Sequence, residues 1–590
     1  MLDESDLAEL VGRLRTHIEQ IYPGQDSREV ATRLVEEMRY PAKACMPPPN
    51  YDPWDQSDLV LITYANSIFE ETEKPLVSLK RFLDERLSDL VSIVHILPFY
   101  PFSSDDGFSV IDYEQVNPQL GDWDDVRAIS SEYRLMADLV INHCSRKSEW
   151  FENFIKGESP GRGYFFTASP AADLSDVIRP RASDLLYPVE TAEGVEFVWC
   201  TFSHDQIDLN FGNLEVLYAF VRIIRHYLSQ GVRVFRLDAI AFLWKEVGTT
   251  CLNLPQTHEM VRLIRALVEY YDREVLLITE TNIPDRENLT YFGNGNEAHM
   301  VYNFPLPPLL LHTLWSGDAA ALNRWIMSLP PAQMGTTYFN FIASHDGIGM
   351  RPVEELLDEE AQEALVQTAQ RLGGKVSWRA LSEHQLKPYE LNISLYDAFG
   401  GTHDGPDELA HERMVCAHSI MLSLEGIPAF YIHSLLGTRN DYEKLDRLGQ
   451  SRAINRHNWI AHELETQLAD PSSPHSRLFE ALARLIRIRK RQPAFHPSAV
   501  QYTLQLGPGL FGVWRQSLDR RQSIFALANV SDKNVVLPLG QLNLISIDDW
   551  ADLVSGNAIE ERGGQLQLAP YQACWLSNRD GCDDIAVDQN

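Results

Sequence analysis

Eight short apolar runs, separated by segments with helical periodicity, constrain the fold of this chain more than any other feature of its sequence. Apolar strands that alternate with helices form a parallel sheet whose faces are covered by helices. Eight such units close into a (β/α)₈ barrel, the α/β fold that we predict here. The runs are VLITYAN, SIVHILPFYPF, RLMADLVINH, VRVFRLDAIAF, EVLLITETN, HMVYNFPLP, TYFNFIASHDG and IPAFYIHSLLG, beginning at residues 60, 92, 134, 232, 274, 299, 337 and 427.

Segments outside this alternation divide the chain into further parts. Amphipathic helical patterns precede the barrel, and short alternating strands with Gly and Pro turns follow it and predict an all-β domain. Two inserts follow the third and seventh strands, at the end of a barrel where loops build the active site. The predicted parts are a helical extension (1–50), the barrel (51–145 and 213–494), the inserts (146–212, and 348–405 within the barrel span) and the C-terminal β domain with its tail (495–590).

Composition limits the classes of partner. The formal net charge of -32 produces a field that repels polyanions, so we expect neither nucleic acid nor an anionic membrane as a partner. The acidic N-terminus has no signal-peptide pattern, and no apolar run approaches membrane-spanning length, so we expect a cytoplasmic protein with small-molecule substrates. Seven scattered cysteines without metal-ligand spacing predict reduced thiols and no zinc site. The oligomeric state stays open, with a homodimer as one alternative.

Charged and polar side chains gather where four of the predicted strands end. In a barrel these strand ends meet at one face, and catalytic residues come from several of them. A buried salt bridge without catalytic function is the alternative for any single position, but four such positions in order favour an active site. The residues are Asp138, His143, Arg236, Asp238, Glu280, His345 and Asp346.

Two of these carboxylates suit glycosyl transfer with retention of configuration. One carboxylate attacks the anomeric carbon, while the other protonates the leaving oxygen and later deprotonates the acceptor. Arg236 lies two residues before Asp238 on the same strand face, so we expect it to keep Asp238 ionised as the nucleophile. Glu280 ends an apolar run where desolvation raises its pKa, which suits a general acid/base. His345 and Asp346 are then expected to hold sugar hydroxyls.

Four of these segments resemble the ordered signature regions of the α-amylase superfamily (glycoside hydrolase family 13). Further segments resemble the sucrose phosphorylase subfamily, and within it the glucosylglycerol and glucosylglycerate phosphorylase branch; the resemblance covers about residues 55–580. The signature segments are DLVINH (138–143), FRLDAI (235–240), ITETN (278–282) and ASHDG (343–347), and the subfamily segments are SSDDGFSVIDY (103–113), RPR (179–181), FSHDQIDLN (202–210), WKEVGTTC (244–251), SHDGIGMRP (344–352) and GTRNDYEKLDRLGQSRAINRH (437–457).

The resemblance implies a hexosyltransferase that acts by phosphorolysis of a small α-glucoside. Inorganic phosphate takes the glucosyl unit from a β-glucosyl intermediate on Asp238, and the product is α-glucose 1-phosphate. Arg181 and Tyr389 match phosphate-binding positions on two mobile loops, and a salt bridge between Asp105 and Arg452 closes the glucose pocket. No cofactor is implied. The other substrate-binding positions are Phe108, His143, Phe202, Gln206, Arg236 and His345, and Asp346 joins Asp238 and Glu280 as the third catalytic carboxylate.

The leaving group and a metal are the remaining questions. Asp184 follows Arg181 closely, and its negative charge should disfavour an anionic leaving group, so we expect glycerol, with glycerate or fructose as alternatives. Asn282 stands where sucrose phosphorylases carry His, which speaks against sucrose. Asn142 matches a calcium ligand of many amylases, but members of this branch function without calcium, and we expect no metal.

Two other functions stay open at this point. A hydrolase or transglucosidase would use the same carboxylates with water or a sugar as the acceptor. A non-catalytic amylase-like binding module is disfavoured because Asp238, Glu280 and Asp346 are all present.

Overall fold

The eight predicted strands close into one parallel barrel in the computed structural model, which confirms the predicted fold class. The structure describes residues 4–46, 51–181, 183–382, 385–542, 544, 549–559 and 564–578. The first strand pairs in parallel with both the second and the eighth, through Val60 opposite Ile93 and Ala429. The strands are β1 (Val60–Thr63), β2 (Ile93–Ile96), β3 (Arg134–Val140), β4 (Val232–Asp238), β5 (Leu276–Thr279), β6 (Met300–Tyr302), β7 (Thr337–Phe341) and β8 (Ile427–Tyr431).

Helices cover the outside of the barrel, so both faces of the sheet are buried. This explains why the strands are apolar almost without interruption: all four residues of β1 and of β5 are buried. Among the described residues, no helix is both long and apolar enough to cross a membrane. The α-helices are Glu4–Ile21 (α1), Ser27–Met38 (α2), Pro75–Phe82, Trp123–Ser130, Glu149–Lys156, Leu214–Ser229, Pro255–Tyr271, Asp285–Asn288, Leu306–Ser316, Ala320–Ser328, Glu359–Arg371, Leu395–Ala398, Ala410–Ser423, Ile432–Leu435, Tyr442–Leu448, Ala461–Ala469 and Pro474–Lys490.

Short strands outside the barrel form the small sheets of the two inserts. His143–Ser145, just before the first insert, pairs with Gln206–Asp208 inside it, and Leu186–Thr191 pairs with Gly194–Trp199 within the insert. The second insert folds into a three-stranded sheet. Each insert follows the carboxyl end of a barrel strand, the third and the seventh. The strands of that sheet are Ile348–Gly349, Lys375–Ser382 and Gln385–Asn392.

A five-stranded antiparallel sheet follows the barrel and gives the C-terminal region its all-β character. Buried Arg515 connects this sheet to the barrel helix Ala410–Ser423 by donating to the backbone carbonyl of Ser423, and it also donates to the carbonyls of His496 and Ala499 just before the sheet. In sheet order the strands are Val500–Thr503, Leu510–Gln516, Ser523–Asn529, Ala573–Asn578 and Trp550–Asp552; the remaining short pairs are Ile68–Phe69 with Trp459–Ile460, Gly401–Thr402 with Gly405–Pro406, and Val535–Pro538 with Gln565–Leu568.

The two N-terminal helices pack against the barrel. The buried residues of α1 recur every three or four positions and face the barrel helix Pro255–Tyr271. Asp26 caps the start of α2 by accepting hydrogen bonds from the backbone N–H groups of Arg28 and Glu29. The buried residues of α1 are Leu10, Leu14, Ile18 and Ile21.

This packing predicts a specific stability loss. Leu14 is fully buried, so Leu14→Ala should lower the free energy of unfolding by about 2–5 kcal/mol through lost burial and a residual cavity. Leu7, which lies on the same helix and is 38% exposed, provides the matched control. Urea unfolding of both variants checks this, and equal midpoints for Leu14→Ala and Leu7→Ala would contradict the packing of α1.

Candidate active site

The carboxyl end of the barrel holds a single cavity that brings together every candidate catalytic, substrate-binding and phosphate-binding residue named from the sequence. The residues come from the carboxyl ends of β2, β3, β4, β5, β7 and β8 or from the segments that follow them, and from both inserts. Four further residues also line this cavity: Ala239, Phe242, Thr281 and Asn282.

A buried guanidinium connects three carboxylates at the floor of the cavity. Side chains two residues apart on a strand point the same way, so Arg236 and Asp238 both project inward from β4. The Nη1 atom of Arg236 donates to Asp238 Oδ1 at 2.8 Å and to Asp138 Oδ1, and Nη2 lies 3.9 Å from Glu280 Oε2. Asp138 also binds the Nε2 atom of His95 at 2.7 Å. This network fixes the position of Arg236.

Asp238 and Glu280, the two cavity carboxyls nearest Arg236, both have a raised pKa. Burial raises the pKa of Asp238 well above its usual range, against the opposing effect of Arg236, and burial raises the pKa of Glu280 in the same way. Arg236 lowers the pKa of Asp238, in the direction expected from its place on the strand, but burial outweighs this effect, and Glu280 and Asp138 raise the pKa further. A proton held by one carboxyl favours ionisation of the other, and the direct contact with Arg236 favours Asp238 as the ionised partner.

The backbone after β4 holds Glu280 in place. Ala239 adopts a left-handed conformation with φ 51°, which is uncommon for a residue with a side chain. Its N–H donates to Glu280 Oε2 at 3.1 Å. Such local strain is typical of functional sites, and here it directs a backbone donor at a carboxylate on the neighbouring strand.

A chain of ion pairs on the opposite side fixes Asp346. Arg452 Nη1 lies 2.6 Å from Asp346 Oδ1, while Arg452 Nε and Nη2 bind both carboxylate oxygens of Glu390 at 3.1 and 2.5 Å. Although burial raises it, Arg452 and His345 hold the pKa of Asp346 well below its usual range. Asp346 therefore stays ionised beside Asp238 and Glu280.

The expected salt bridge between Asp105 and Arg452 is not formed. Glu390 and Asp346 occupy the guanidinium of Arg452, and Asp105 Oδ1 instead lies 4.0 Å from Arg456 Nη1. Arg456 makes its closer contact, of 2.6 Å, with the adjacent Asp106. Asp105 still lines the cavity, where Gln206 Nε2 approaches its Oδ2 atom at 3.4 Å.

Aromatic rings and neutral histidines form the remaining walls. Phe108 stacks on His345 with ring centroids 5.1 Å apart and planes 5° from parallel, and Phe202 lies 5.2 Å from His143. Burial lowers the pKa of both histidines, so each is neutral near pH 7. A neutral imidazole offers one donor and one acceptor, which suits sugar hydroxyls. His143 Nε2 already contacts the backbone carbonyl of Phe108 at 2.9 Å.

The two inserts meet over the mouth of the cavity. The guanidinium carbon of Arg181, from the first insert, lies 5.3 Å from the ring centre of Tyr389, from the second. Burial raises the pKa of Tyr389, so its hydroxyl remains a hydrogen-bond donor. A guanidinium and a phenol together offer donors to an anion.

A lysine provides the positive charge next to Asn142. Lys245 Nζ donates to Asn142 Oδ1 at 2.8 Å and lies 2.9 Å from Asp208 Oδ2, and both members of the ion pair are buried. The side-chain oxygens of Asn142 and Asp208 thus bind a fixed ammonium. Within the described ranges, no group of three or more His, Cys, Asp or Glu residues has the arrangement of a metal site.

Several residues that organise the site were not identified from the sequence. Glu390 lies in the second insert, on the strand Gln385–Asn392, and no local sequence pattern links it to Arg452, 62 positions later. His95 lies inside the apolar run of β2, where its polarity is the only signal. Lys245 belongs to a recognised segment, but that segment does not indicate an ammonium bound to Asp208.

Comparisons with known proteins agree with this geometry. Residues 88–350 match the family description "Alpha amylase, catalytic domain". The chain is 40% identical to glucosylglycerate phosphorylase of Spirochaeta thermophila, over 96% of this chain and 99% of that protein. It is 43% identical to the enzyme of the same name from Allomeiothermus silvanus, over 89% and 91%.

Two more distant proteins complete the comparison. Glucosylglycerol phosphorylase of Marinobacter adhaerens is 29% identical over 71% of this chain and 85% of its own length. The crystal structure of sucrose 6F-phosphate phosphorylase from Thermoanaerobacter thermosaccharolyticum superposes with a TM-score of 0.71 at 23% identity, over 87% of this chain and 98% of that one. This superposition supports the fold.

The buried lysine predicts a large loss of stability on substitution. Lys245→Met leaves Asp208 buried without its cation, which should cost about 3–5 kcal/mol. Lys43 and Asp272 form an ion pair of the same 2.9 Å length, but Lys43 is 66% exposed, so Lys43→Met should cost about 0–1 kcal/mol. Thermal unfolding of the two variants checks this difference, and an unchanged melting temperature for Lys245→Met would contradict it.

Proposed function

This chain belongs to the α-amylase family, in its branch of α-glucoside phosphorylases, and we propose that it transfers the glucosyl unit of glucosylglycerate to inorganic phosphate. The products are glycerate and α-glucose 1-phosphate. One observation carries this choice of substrate: the chain matches glucosylglycerate phosphorylases over nearly the whole length of both proteins. The likeness to glucosylglycerol phosphorylase is weaker and shorter.

The position of Asp184 in the structure gives no reason to prefer glycerol as the leaving group. Asp184 is exposed and does not line the cavity, although the sequence places it three residues from Arg181. Its charge acts instead on Arg179, whose pKa burial lowers and Asp184 raises. Among the described residues of the first insert, those that line the cavity are Arg181, Phe202 and Gln206, so none of them is an anion that would oppose a carboxylate in the leaving group. The glycerate alternative fits these observations better than glycerol does.

The proposed first step breaks the glucosidic bond. A carboxylate oxygen of Asp238 attacks the anomeric carbon, while Glu280 gives its proton to the glycosidic oxygen and glycerate leaves. Both roles suit the geometry: Asp238 accepts a hydrogen bond from Arg236, and the raised pKa of Glu280 keeps a proton available. The glucosyl unit is then an ester of Asp238.

The proposed second step transfers that unit to phosphate. Phosphate enters between Arg181 and Tyr389, and an oxygen of phosphate attacks the anomeric carbon from the face that glycerate left. Glu280, now a carboxylate, accepts the proton of the entering phosphate, and Asp238 departs as a carboxylate. Two inversions give net retention.

Asp346 and the residues that hold it are proposed to bind the glucose ring. Its carboxylate is ionised and fixed by Arg452, so it can accept hydrogen bonds from sugar hydroxyls that strengthen as positive charge develops on the ring. His143 and His345 add neutral partners, and Phe108 and Phe202 contribute aromatic faces.

The role of Glu280 can be separated from that of Asp238 by the choice of donor. Glu280→Gln should lose about 10²–10⁴-fold in rate on glucosylglycerate, because its leaving group needs a proton. The loss should be much smaller on α-glucosyl fluoride, since fluoride departs with little protonation. Initial rates on both donors check this, and equal losses would show that Glu280 is not the acid.

The proposed function is tested by the acceptor that the enzyme uses in each direction: phosphate in the forward reaction, and glycerate in the reverse reaction. Wild-type enzyme should consume glucosylglycerate rapidly only when phosphate is present, and in reverse it should use α-glucose 1-phosphate with glycerate in preference to glycerol. Product analysis in both directions provides the measurement. Glucose released equally fast without phosphate would identify a hydrolase, and a preference for glycerol would restore the alternative acceptor.

A further inference from the structure

Arg351 is a buried guanidinium without a counter-ion in the part of the chain that the structure describes. It opens the short helical turn Arg351–Val353 that follows the seventh barrel strand, and only 8% of its surface is exposed. Its Nε atom is buried and has no hydrogen-bond partner, and no ion pair joins Arg351 to any described residue. A buried unpaired cation is costly unless an anion is supplied, so a ligand is expected.

The carboxylates near Arg351 are occupied by other groups. Glu354 Oε1 accepts a hydrogen bond from Arg379 Nη2 at 2.7 Å. Glu287 Oε2 accepts one from Asn253 Nδ2 at 2.7 Å. Burial lowers the pKa of Arg351, and the neighbouring cation Arg379 lowers it further. Tyr389, Glu354 and Glu287 raise the pKa of Arg351 and so partly offset both effects, but no described carboxylate forms an ion pair with its guanidinium.

The position of Arg351 points to the acceptor side of the active site. The N–H of the preceding residue, Met350, donates to the backbone carbonyl of Tyr389 at 2.9 Å. Tyr389 lines the cavity, and Arg181 lies over its ring. Burial raises the pKa of Tyr389, while Arg181, Arg452 and Arg351 lower it, so three cations act on this tyrosine. One of them, Arg351, does not itself line the cavity and is connected to it through Met350, whose backbone binds Tyr389.

We propose that Arg351 is the specificity-determining residue that makes the acceptor side prefer an anionic acceptor, the carboxylate of glycerate, over neutral glycerol. This inference rests on the proposed function and deepens it. Glycerate and glycerol differ at one carbon, which carries a carboxylate in the first and a hydroxymethyl group in the second. A buried cation without an ion-pair partner attracts the carboxylate but not the neutral hydroxymethyl group, because its Coulomb attraction acts over several ångströms where water is excluded.

A competition between the two acceptors tests this directly. Wild-type enzyme receives α-glucosyl fluoride with glycerate and glycerol at equal concentrations, and the ratio of glucosylglycerate to glucosylglycerol is measured. Both acceptors compete for the same glucosyl enzyme, so the ratio does not depend on how fast that intermediate forms. Arg351→Met should lower the ratio by about tenfold or more, which corresponds to about 1.4 kcal/mol.

Two further variants separate charge from packing. Arg351→Lys keeps the positive charge and should retain most of the preference for glycerate. Arg324→Gln makes the same change of net charge as Arg351→Met at an exposed position on the helix Ala320–Ser328, and should leave the ratio unchanged. Arg351→Met should also fold, since it leaves no described carboxylate without its ion-pair partner.

The outcomes distinguish the two proposals. A wild-type enzyme that does not glucosylate glycerate would overturn the proposed function. A wild-type enzyme that prefers glycerate, together with an unchanged ratio in Arg351→Met, would overturn only the role of Arg351. A purely structural role would appear as a lower melting temperature with the ratio unchanged, and a loss of preference in Arg351→Lys as large as in Arg351→Met would exclude charge as the cause.

Discussion

The active site depends on one buried interaction, the contact of the Arg236 guanidinium with Asp138 and Asp238. A single guanidinium among buried carboxylates at the carboxyl end of the barrel is stable only if each of its carboxylate partners is held in place. His95 holds Asp138 from one side, and the N–H of Ala239 holds Glu280 from the other. Because Arg236 cannot neutralise all of these carboxylates, at least one of them retains a proton, and a proton-donating carboxyl next to an ionised one is what double displacement needs.

The inserts complete a site that the barrel begins. The second insert provides Glu390, which accepts hydrogen bonds from Nε and Nη2 of Arg452 and leaves Nη1 to pair with Asp346. The two inserts also place Arg181 over Tyr389 at the mouth of the cavity. The barrel floor thus holds Asp238 and Glu280, the proposed reacting carboxylates, while the inserts contribute Arg181 and Tyr389, the proposed phosphate-binding residues.

The sequence predicts the barrel and the cavity residues well, but not the contacts between them. Strands buried on both faces leave a strong apolar signal, and Asp238 and Glu280 follow such strands directly. Partnerships across long separations leave none: Arg452 was expected to pair with Asp105 and pairs with Glu390 and Asp346. The same limit explains Asp184, whose closeness to Arg181 in the chain suggested an effect that its exposed side chain does not have. Loop conformation decides both cases.

In the proposed mechanism, Asp238 carries the glucosyl unit as an ester between the two steps. The most direct measurement incubates Glu280→Gln with α-glucosyl fluoride in the absence of phosphate, digests the protein and locates the added glucosyl mass by peptide mass spectrometry. We expect an ester on Asp238, discharged on addition of a small anionic nucleophile such as azide, and none in the double variant that also carries Asp238→Asn. A glucosyl group on another residue, or an inverted product formed without any ester, would contradict it.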